Sequence, residues 1–260
     1  MNFEHVAFAF IHPHEYSAHF GRSMWRTVAE HPGIQMLDMG SGPGIAGARN
    51  EIVYAFLNDT DCQVLVMADA DMAFHPRHVD QIVGLVSREQ PIVGGLCFIV
   101  GRLGILEPTI RVLDPELGGL QTVWDYPRDA LISVDATGGA FLAVHRCVFE
   151  KLLEEYGEHP YPFFAESSHG GFRYSEDTTF CIRARRHFPV KVHTGIKIGH
   201  VKPYIYTEDD YVEQRARLSA FGRDHVEAEH MARMAIADPG ELDASPAPNR
   251  AQRRQMARQR

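Results

Sequence analysis

Val64-Leu65-Val66-Met67-Ala68-Asp69-Ala70-Asp71-Met72-Ala73-Phe74 is an apolar run interrupted by two carboxylates one residue apart. An apolar run of this length reads as a buried strand, and open α/β sheets bind their ligands beyond the C-terminal ends of such strands. Two carboxylates held that close repel each other, and a divalent cation relieves the repulsion. Mg²⁺ or Mn²⁺, gripped by one or two carboxylates and completed by substrate phosphates, suits the pattern. A metal-bound nucleotide diphosphate is therefore the first expectation. The plain alternative is an acidic turn that merely ends a strand.

Outward from this stretch, the 260 residues and 45% apolar content allow one well-packed domain with a small appendage. A net charge of −8 argues against a general nucleic-acid surface. The exception is the polar end of the chain, where Arg250, Arg253, Arg254, Arg258 and Arg260 follow a Pro-rich segment; residues 238–260 read as a disordered tail. Cys62, Cys97, Cys147 and Cys181 are widely spaced, with no C-x-x-C pair, so neither a zinc site nor a disulfide framework is expected. There is no signal-peptide pattern at the start and no run long enough to cross a bilayer. A soluble, cytoplasmic protein without a membrane partner is the expectation; oligomeric state is not readable.

Strands are expected over 6–11, 34–39, 63–68, 91–97, 141–144 and 190–198. Helices alternate with them. One spans about 17–30; a second carries Ile45, Ile52, Val53, Phe56 and Leu57 on one face; a third opens at Pro76, where a missing N–H costs little, with Val79, Ile82, Val83 and Val86 as its stripe. Val148, Phe149, Leu152, Leu153 and Tyr156 mark a fourth, and Ser175 stands as the N-cap of a fifth running to His187. This β-α-β alternation implies an α/β fold with a largely parallel sheet covered on both faces. Residues 103–135, rich in Gly, Pro and short β-like runs, suggest hairpins or an excursion over the active face. The stretch from Thr207 to about 237 reads as a charged helical extension, with Thr207 and Asp210 spaced as a capping box.

Several features fall in a recurring order: Ala48-Arg49-Asn50, Asp69-Ala70-Asp71, Gly138-Gly139 before an apolar run, Ser175-Glu176-Asp177 at a helix start, and Gly199-His200 after the last strand. Over roughly residues 3–202 the ordered set resembles the GT-A glycosyltransferases, especially family-2-like bacterial and phage members. The resemblance implies a Rossmann-like mixed, mostly parallel sheet with helices on both faces, and domains of 1–202 (transferase), 203–237 (helical extension) and 238–260 (tail). It further implies a hexosyltransferase using a nucleotide-sugar donor, with UDP favoured, and a hydroxyl acceptor on a saccharide, a protein side chain or a modified nucleobase. By position, Asp69 and Asp71 match the DxD pair that reaches ribose and metal, and His200 matches a further metal ligand. Arg49 matches an arginine near the nucleotide, Gly138 and Gly139 a loop lining the sugar and acceptor site, and His12 and Pro13 the loop holding the nucleobase. Glu176 and Asp177 match an acidic motif whose Asp is the base in inverting members.

The residue types suit that chemistry. Separating a sugar from its diphosphate leaves negative charge that a cation stabilises as a Lewis acid. The attacking hydroxyl must shed a proton, which a carboxylate such as Asp177 can take while Glu176 binds sugar hydroxyls. Each piece also has a structural explanation. Glu176 and Asp177 are favoured in a first helical turn by the helix dipole alone. His200 is open to being a satisfied histidine at a strand end, Arg49 the partner of an acidic neighbour, and Gly138-Gly139 a tight turn.

One rival has a better-looking local motif. Leu37-Asp38-Met39-Gly40-Ser41-Gly42-Pro43-Gly44 resembles motif I of class I methyltransferases, in which a glycine turn admits S-adenosylmethionine and a later strand ending in an acid, here Asp69, binds ribose. Against it, a strand and helix precede the glycine turn, no Asn/Asp-Pro-Pro-aromatic motif follows the fourth strand, and Asp71, Glu176-Asp177 and Gly199-His200 go unexplained.

Overall fold

In the computed structural model the described residues are 3–42, 44–100, 106–114, 119–169, 171–202 and 208. The chain divides into two units, Met1–Lys202 and Pro203–Arg260. The helix expected over 207–237 and the tail of 238–260 lie outside the described residues, apart from Glu208.

The first half alternates as expected: β1 (Val6–His12), α1 (Ala18–Glu30), β2 (Gln35–Gly40), α2 (Ile45–Asp59), β3 (Val64–Asp69), a two-residue β4 (Met72–Ala73), α3 (Pro76–Leu85) and β5 (Ile92–Leu96). The excursion follows as β6 (Phe98–Val100), β7 (Leu106–Pro108), β8 (Ile110–Leu113), β9 (Leu120–Thr122), β10 (Leu131–Val134) and β11 (Ala136–Thr137). The chain then re-enters the core as β12 (Phe141–His145) and α4 (Arg146–Tyr156). It closes with β13 (Ser167–His169), β14 (Phe172–Tyr174), α5 (Glu176–Ala184), β15 (Val190–Lys197) and β16 (Gly199–His200).

Seven strands form the main sheet in the order β10-β15-β5-β12-β3-β1-β2. β2, β1, β3, β5 and β15 point one way, while β12 and the edge strand β10 run against them. The fold is thus mixed α/β with a mostly parallel central sheet. The reversal of β12 is the main departure from a simple alternating reading, because an apolar run carries no mark of its direction. β12 fills the gap between β3 and β5, pairing Phe141 with Ala68 and Leu142 with Gly94.

Period-two packing divides the core between the two faces of this sheet. Ala7, Ala9, Leu65, Met67, Leu142 and Val144 pack with Ile52 and Phe56 of α2, Phe149 of α4 and Phe180 of α5. The alternate residues Val6, Phe8, Val64, Val66, Phe141 and Ala143 pack with Phe20 of α1 and with Val79 and Ile82 of α3. Truncating a fully buried aromatic such as Phe149 in such a core costs about 3–5 kcal/mol. Arg146 secures the end of α2, its guanidinium donating to the carbonyls of Phe56 (2.8 Å), Leu57 (3.1 Å), Thr60 (2.6 Å) and Cys62 (2.7 Å). A cation at a helix C-terminus satisfies carbonyls that have no partner within the helix and opposes the negative end of its dipole.

The topology gathers the candidate residues at one edge of the sheet. β1 ends at His12, β2 at Gly40, β3 at Asp69 and β15 three residues before His200, while β12, running oppositely, begins there just after Gly138 and Gly139. This is the edge where open α/β sheets carry their sites. No helix among the described residues is long and apolar enough to cross a membrane.

Candidate active site

Beyond β3 the chain turns into β4, which pairs antiparallel with β16 so that Ala73 faces Gly199 and Met72 faces His200. Val201 N–H donates to the Asp71 carbonyl at 2.8 Å and fixes the register. This small ladder carries the imidazole of His200 to a carboxylate 129 positions earlier, with Nε2 3.1 Å from Asp71 Oδ2. The other ring nitrogen, Nδ1, lies 2.7 Å from the Phe98 carbonyl. A carbonyl only accepts, so Nδ1 carries the proton. In the neutral ring Nε2 then turns its lone pair toward a carboxylate oxygen. A cation between or beside two such acceptors resolves the conflict, and a backbone carbonyl behind the imidazole is the support that metal-ligating histidines use. One cationic group is already present: Lys202 Nζ lies 2.5 Å from the same Asp71 oxygen.

Asp69 has a different partner. Arg49, projecting from α2, donates from Nη2 to Asp69 Oδ1 at 2.7 Å and from Nη1 to the Gly139 carbonyl at 3.0 Å. Its guanidinium lies 5.6 Å from the centre of the Phe164 ring. Glu176 Oε1 is 3.4 Å from Nε, an ion-pair contact that does not complete a hydrogen bond and leaves that buried N–H without one. Arg49 is only 3% exposed. Burial disfavours its charge, but Asp69, Glu176 and Asp177 outweigh burial and raise its pKa above the usual arginine value. Gly139 is required here: a Cβ on it would fall 2.6 Å from Arg49 Nη1 and 2.8 Å from Cζ. Asn50 prepares the ring contact by donating to the Phe164 carbonyl at 2.6 Å and accepting from Phe163 N–H at 3.1 Å.

Glu176 and Asp177 open α5, as expected, but the capping differs. Ser175 occupies the N-cap position without accepting from the helix backbone. Its hydroxyl donates instead to Asp177 Oδ1, a charged and stronger acceptor. Asp177 also accepts from Thr178 N–H at 2.6 Å and, through Oδ2, from Gly139 N–H at 3.0 Å. Burial and then the charge of Asp177 push the Glu176 carboxyl up, against the opposing pull of Arg49. Cys97 lies close to both members of the acidic pair; burial, Asp69 and Asp71 together push its thiol far above the usual range.

Two linked groups result. Arg49, Asp69, Gly139, Glu176 and Asp177 are joined by direct contacts, with a Cβ on Gly138 falling 3.7 Å from Asp177 Oδ2. Asp71 and His200 form the second group, two residues along the chain from Asp69. His12 ends the neighbouring strand, one residue past the Ile11–Asp69 register pair. Its Nδ1 contacts the Pro13 carbonyl, and Nε2 is 3.6 Å from Asp38 Oδ2; Pro13 is exposed beside it. No direct contact joins the described His12–Pro13 pair to either group. The reading of Arg49 as the partner of an acidic neighbour describes its observed contacts. Sequence reasoning missed Lys202, the Phe98 carbonyl and Phe164. Lys202 stands two residues past His200, a same-side spacing in an extended chain, and was the one with a legible signal.

The donor set fits a loosely held divalent ion. One imidazole nitrogen and one carboxylate suit a cation that completes its shell with water and phosphate oxygens. No group of three or more His, Cys, Asp or Glu side chains poised for a metal occurs among the described residues. The methyltransferase motif is placed unfavourably. Gly42, at φ +48°, lies in the left-handed region that glycine tolerates. That turn follows the edge strand β2, however, and β1 lies between it and the strand carrying Asp69.

No protein-family model matches the chain, and no curated protein matches it. Among solved structures, the chain is similar to A197 from STIV, with 12% identity and a TM-score of 0.46 over 78% of this chain and 96% of that one. It is similar to 4-diphosphocytidyl-2C-methyl-D-erythritol synthase from Anaerococcus prevotii, with 12% identity and a TM-score of 0.44 over 82% and 98%. It is also similar to a glycosyltransferase involved in glycosylation of the major capsid of PBCV-1, with 14% identity and a TM-score of 0.33 over 60% and 71%. At these identities and scores none of them assigns an activity to this chain.

Proposed function

We propose that the protein is a metal-dependent glycosyltransferase that moves a hexose from a nucleotide-diphosphate sugar, UDP favoured, to a hydroxyl acceptor with inversion. The observation that carries this reading is the approach of His200 to Asp71 across 129 positions, at the same sheet edge as the Glu176–Asp177 pair. Asp71 and His200 would hold Mn²⁺ or Mg²⁺, with Asp69 beside them. When bound, the cation would supply Lewis-acid stabilisation to the departing diphosphate.

The remaining work falls to the chain's own side chains. Three donors orient Asp177, and a carboxylate has about four lone-pair sites, so one remains for the acceptor's proton. That supports Asp177 as the general base. Glu176, with its carboxyl pushed up, suits a hydrogen bond to a sugar hydroxyl. Gly138 and Gly139 line the sugar and acceptor side. His12 and Pro13, on the adjacent strand end, flank the nucleobase. Arg49 acts from beneath by holding Asp69 and Glu176 in place.

The test is nucleotide binding by calorimetry and thermal unfolding, with UDP and Mn²⁺ separately and together. A ligand at a hundred times its Kd stabilises by about 2.7 kcal/mol, a readily measured shift. UDP should stabilise the protein only with Mn²⁺, and Asp71→Ala should abolish that dependence. Unchanged affinity in Asp71→Ala sinks the metal assignment. Stabilisation by S-adenosylhomocysteine instead of UDP would revive the methyltransferase. A hydrolysis screen across nucleotide sugars then identifies the donor.

A further inference from the structure

The two carboxylates of the Asp69-Ala70-Asp71 pair are neutralised in different ways. Asp69 is matched by Arg49, whose side chain is 4% exposed and tied to Gly139 as well. Asp71 is matched by Lys202, whose side chain is 54% exposed on a flexible four-carbon stem. One counter-ion is built in and the other faces water.

We propose that Lys202 is the resident counter-ion of Asp71, and that its ammonium and a divalent cation occupy that carboxylate in turn rather than together. The inference rests on the metal-dependent reading above. It follows from two contacts with one oxygen: Lys202 Nζ at 2.5 Å and His200 Nε2 at 3.1 Å both face Asp71 Oδ2. A cation bound to that same oxygen would share it with the ammonium, leaving a single carboxylate oxygen to offset two like charges held close together. The ammonium is the group that can leave, since its stem reaches solvent and it has no second partner among the described residues. His200 stays, pinned by the Phe98 carbonyl and the β4–β16 ladder. Metal therefore enters by exchange, and the site keeps Asp71 paired until it does.

The test is Mn²⁺ binding to the full-length chain, followed by water-proton relaxation and calorimetry, without nucleotide and with UDP. Lys202→Gln removes the competitor. Lys197→Gln, at the exposed end of β15, makes the same change in net charge at a lysine that forms no ion pair with Asp71 among the described residues. An exposed ion pair of this kind weighs against metal by about two- to fivefold in affinity. Lys202→Gln should therefore bind Mn²⁺ two- to fivefold more tightly than wild type, while Lys197→Gln matches wild type. Equal or weaker binding by Lys202→Gln overturns exchange, as does an equal gain in Lys197→Gln, which would reduce the effect to general charge. Absence of Mn²⁺ binding in every protein, with UDP or without, refutes the metal reading itself and is thereby distinguished from failure of the exchange alone.

Discussion

Replacing Arg49 by Met tests whether the acidic end of the sheet depends on one buried cation. Met preserves much of the side chain's length and its apolar contact with Phe164, but removes the charge facing Asp69, Glu176 and Asp177. Removing one partner of a buried pair costs about 3–5 kcal/mol because the other charge is left unmatched. Here Asp69 is 29% and Glu176 15% exposed, so water recovers part of the loss and about 2–4 kcal/mol is expected. With a urea m-value of about 2–3 kcal/mol per M, the unfolding midpoint should fall by roughly 0.7–2 M. The deficit should be largest near pH 8 and shrink as pH falls through the raised value of Glu176, whose protonation removes part of the unmatched charge. Arg49→Lys, which keeps the charge but not the forked geometry, should fall between. A midpoint within about 0.3 M of wild type at pH 8, or a loss that ignores pH, would refute the reasoning.

Two further substitutions separate the acids at the start of α5. Asp177→Asn should lower sugar transfer by at least about a hundredfold while donor binding stays nearly intact, because the amide keeps the shape but cannot take a proton; wild-type turnover would remove Asp177 from the base role. Glu176→Gln should make the protein more stable at pH 8 than wild type. The folded protein keeps a proton on this raised carboxyl to higher pH than the unfolded chain does. Folding therefore loses free energy as pH rises from the ordinary carboxylate value of about 4.3 through the raised one, and the variant's advantage should vanish below about pH 4. Urea midpoints at the two pH values decide it: a variant less stable at pH 8 would mean that attraction to Arg49 outweighs burial and Asp177.

Much of the architecture was legible because apolar periodicity reports burial directly. The strands ending at Asp69 and Lys197 lie within a residue of their expected bounds, and the helix after Ser175 opens where expected at Glu176 but ends at Ala184, short of the expected His187. Direction was not legible: nothing in Phe141–His145 says that it runs against β3 and β5, and no local pattern announced that β10 joins the main sheet. At the site, the grouping of Asp71 with His200 follows from motif order, whereas the division of labour between the carboxylates does not. That Asp69 belongs to Arg49 and Asp71 to Lys202 depends on which cation is buried, a property of packing. The Phe98 carbonyl that orients His200 is backbone and has no signature in side-chain chemistry.

The placement of β12 has a consequence for how the chain is made. β2-β1-β3 and β5-β15-β10 join only through a strand that ends at His145, so during synthesis the chain must emerge past that residue before the two halves of the sheet can join. Until then the bare flanks of β3 and β5, buried strands left unpaired, offer templates for neighbouring nascent chains. Premature termination between residues 97 and 140 would therefore yield a sticky fragment rather than a smaller folded protein, and such contacts between distant segments make for slow folding.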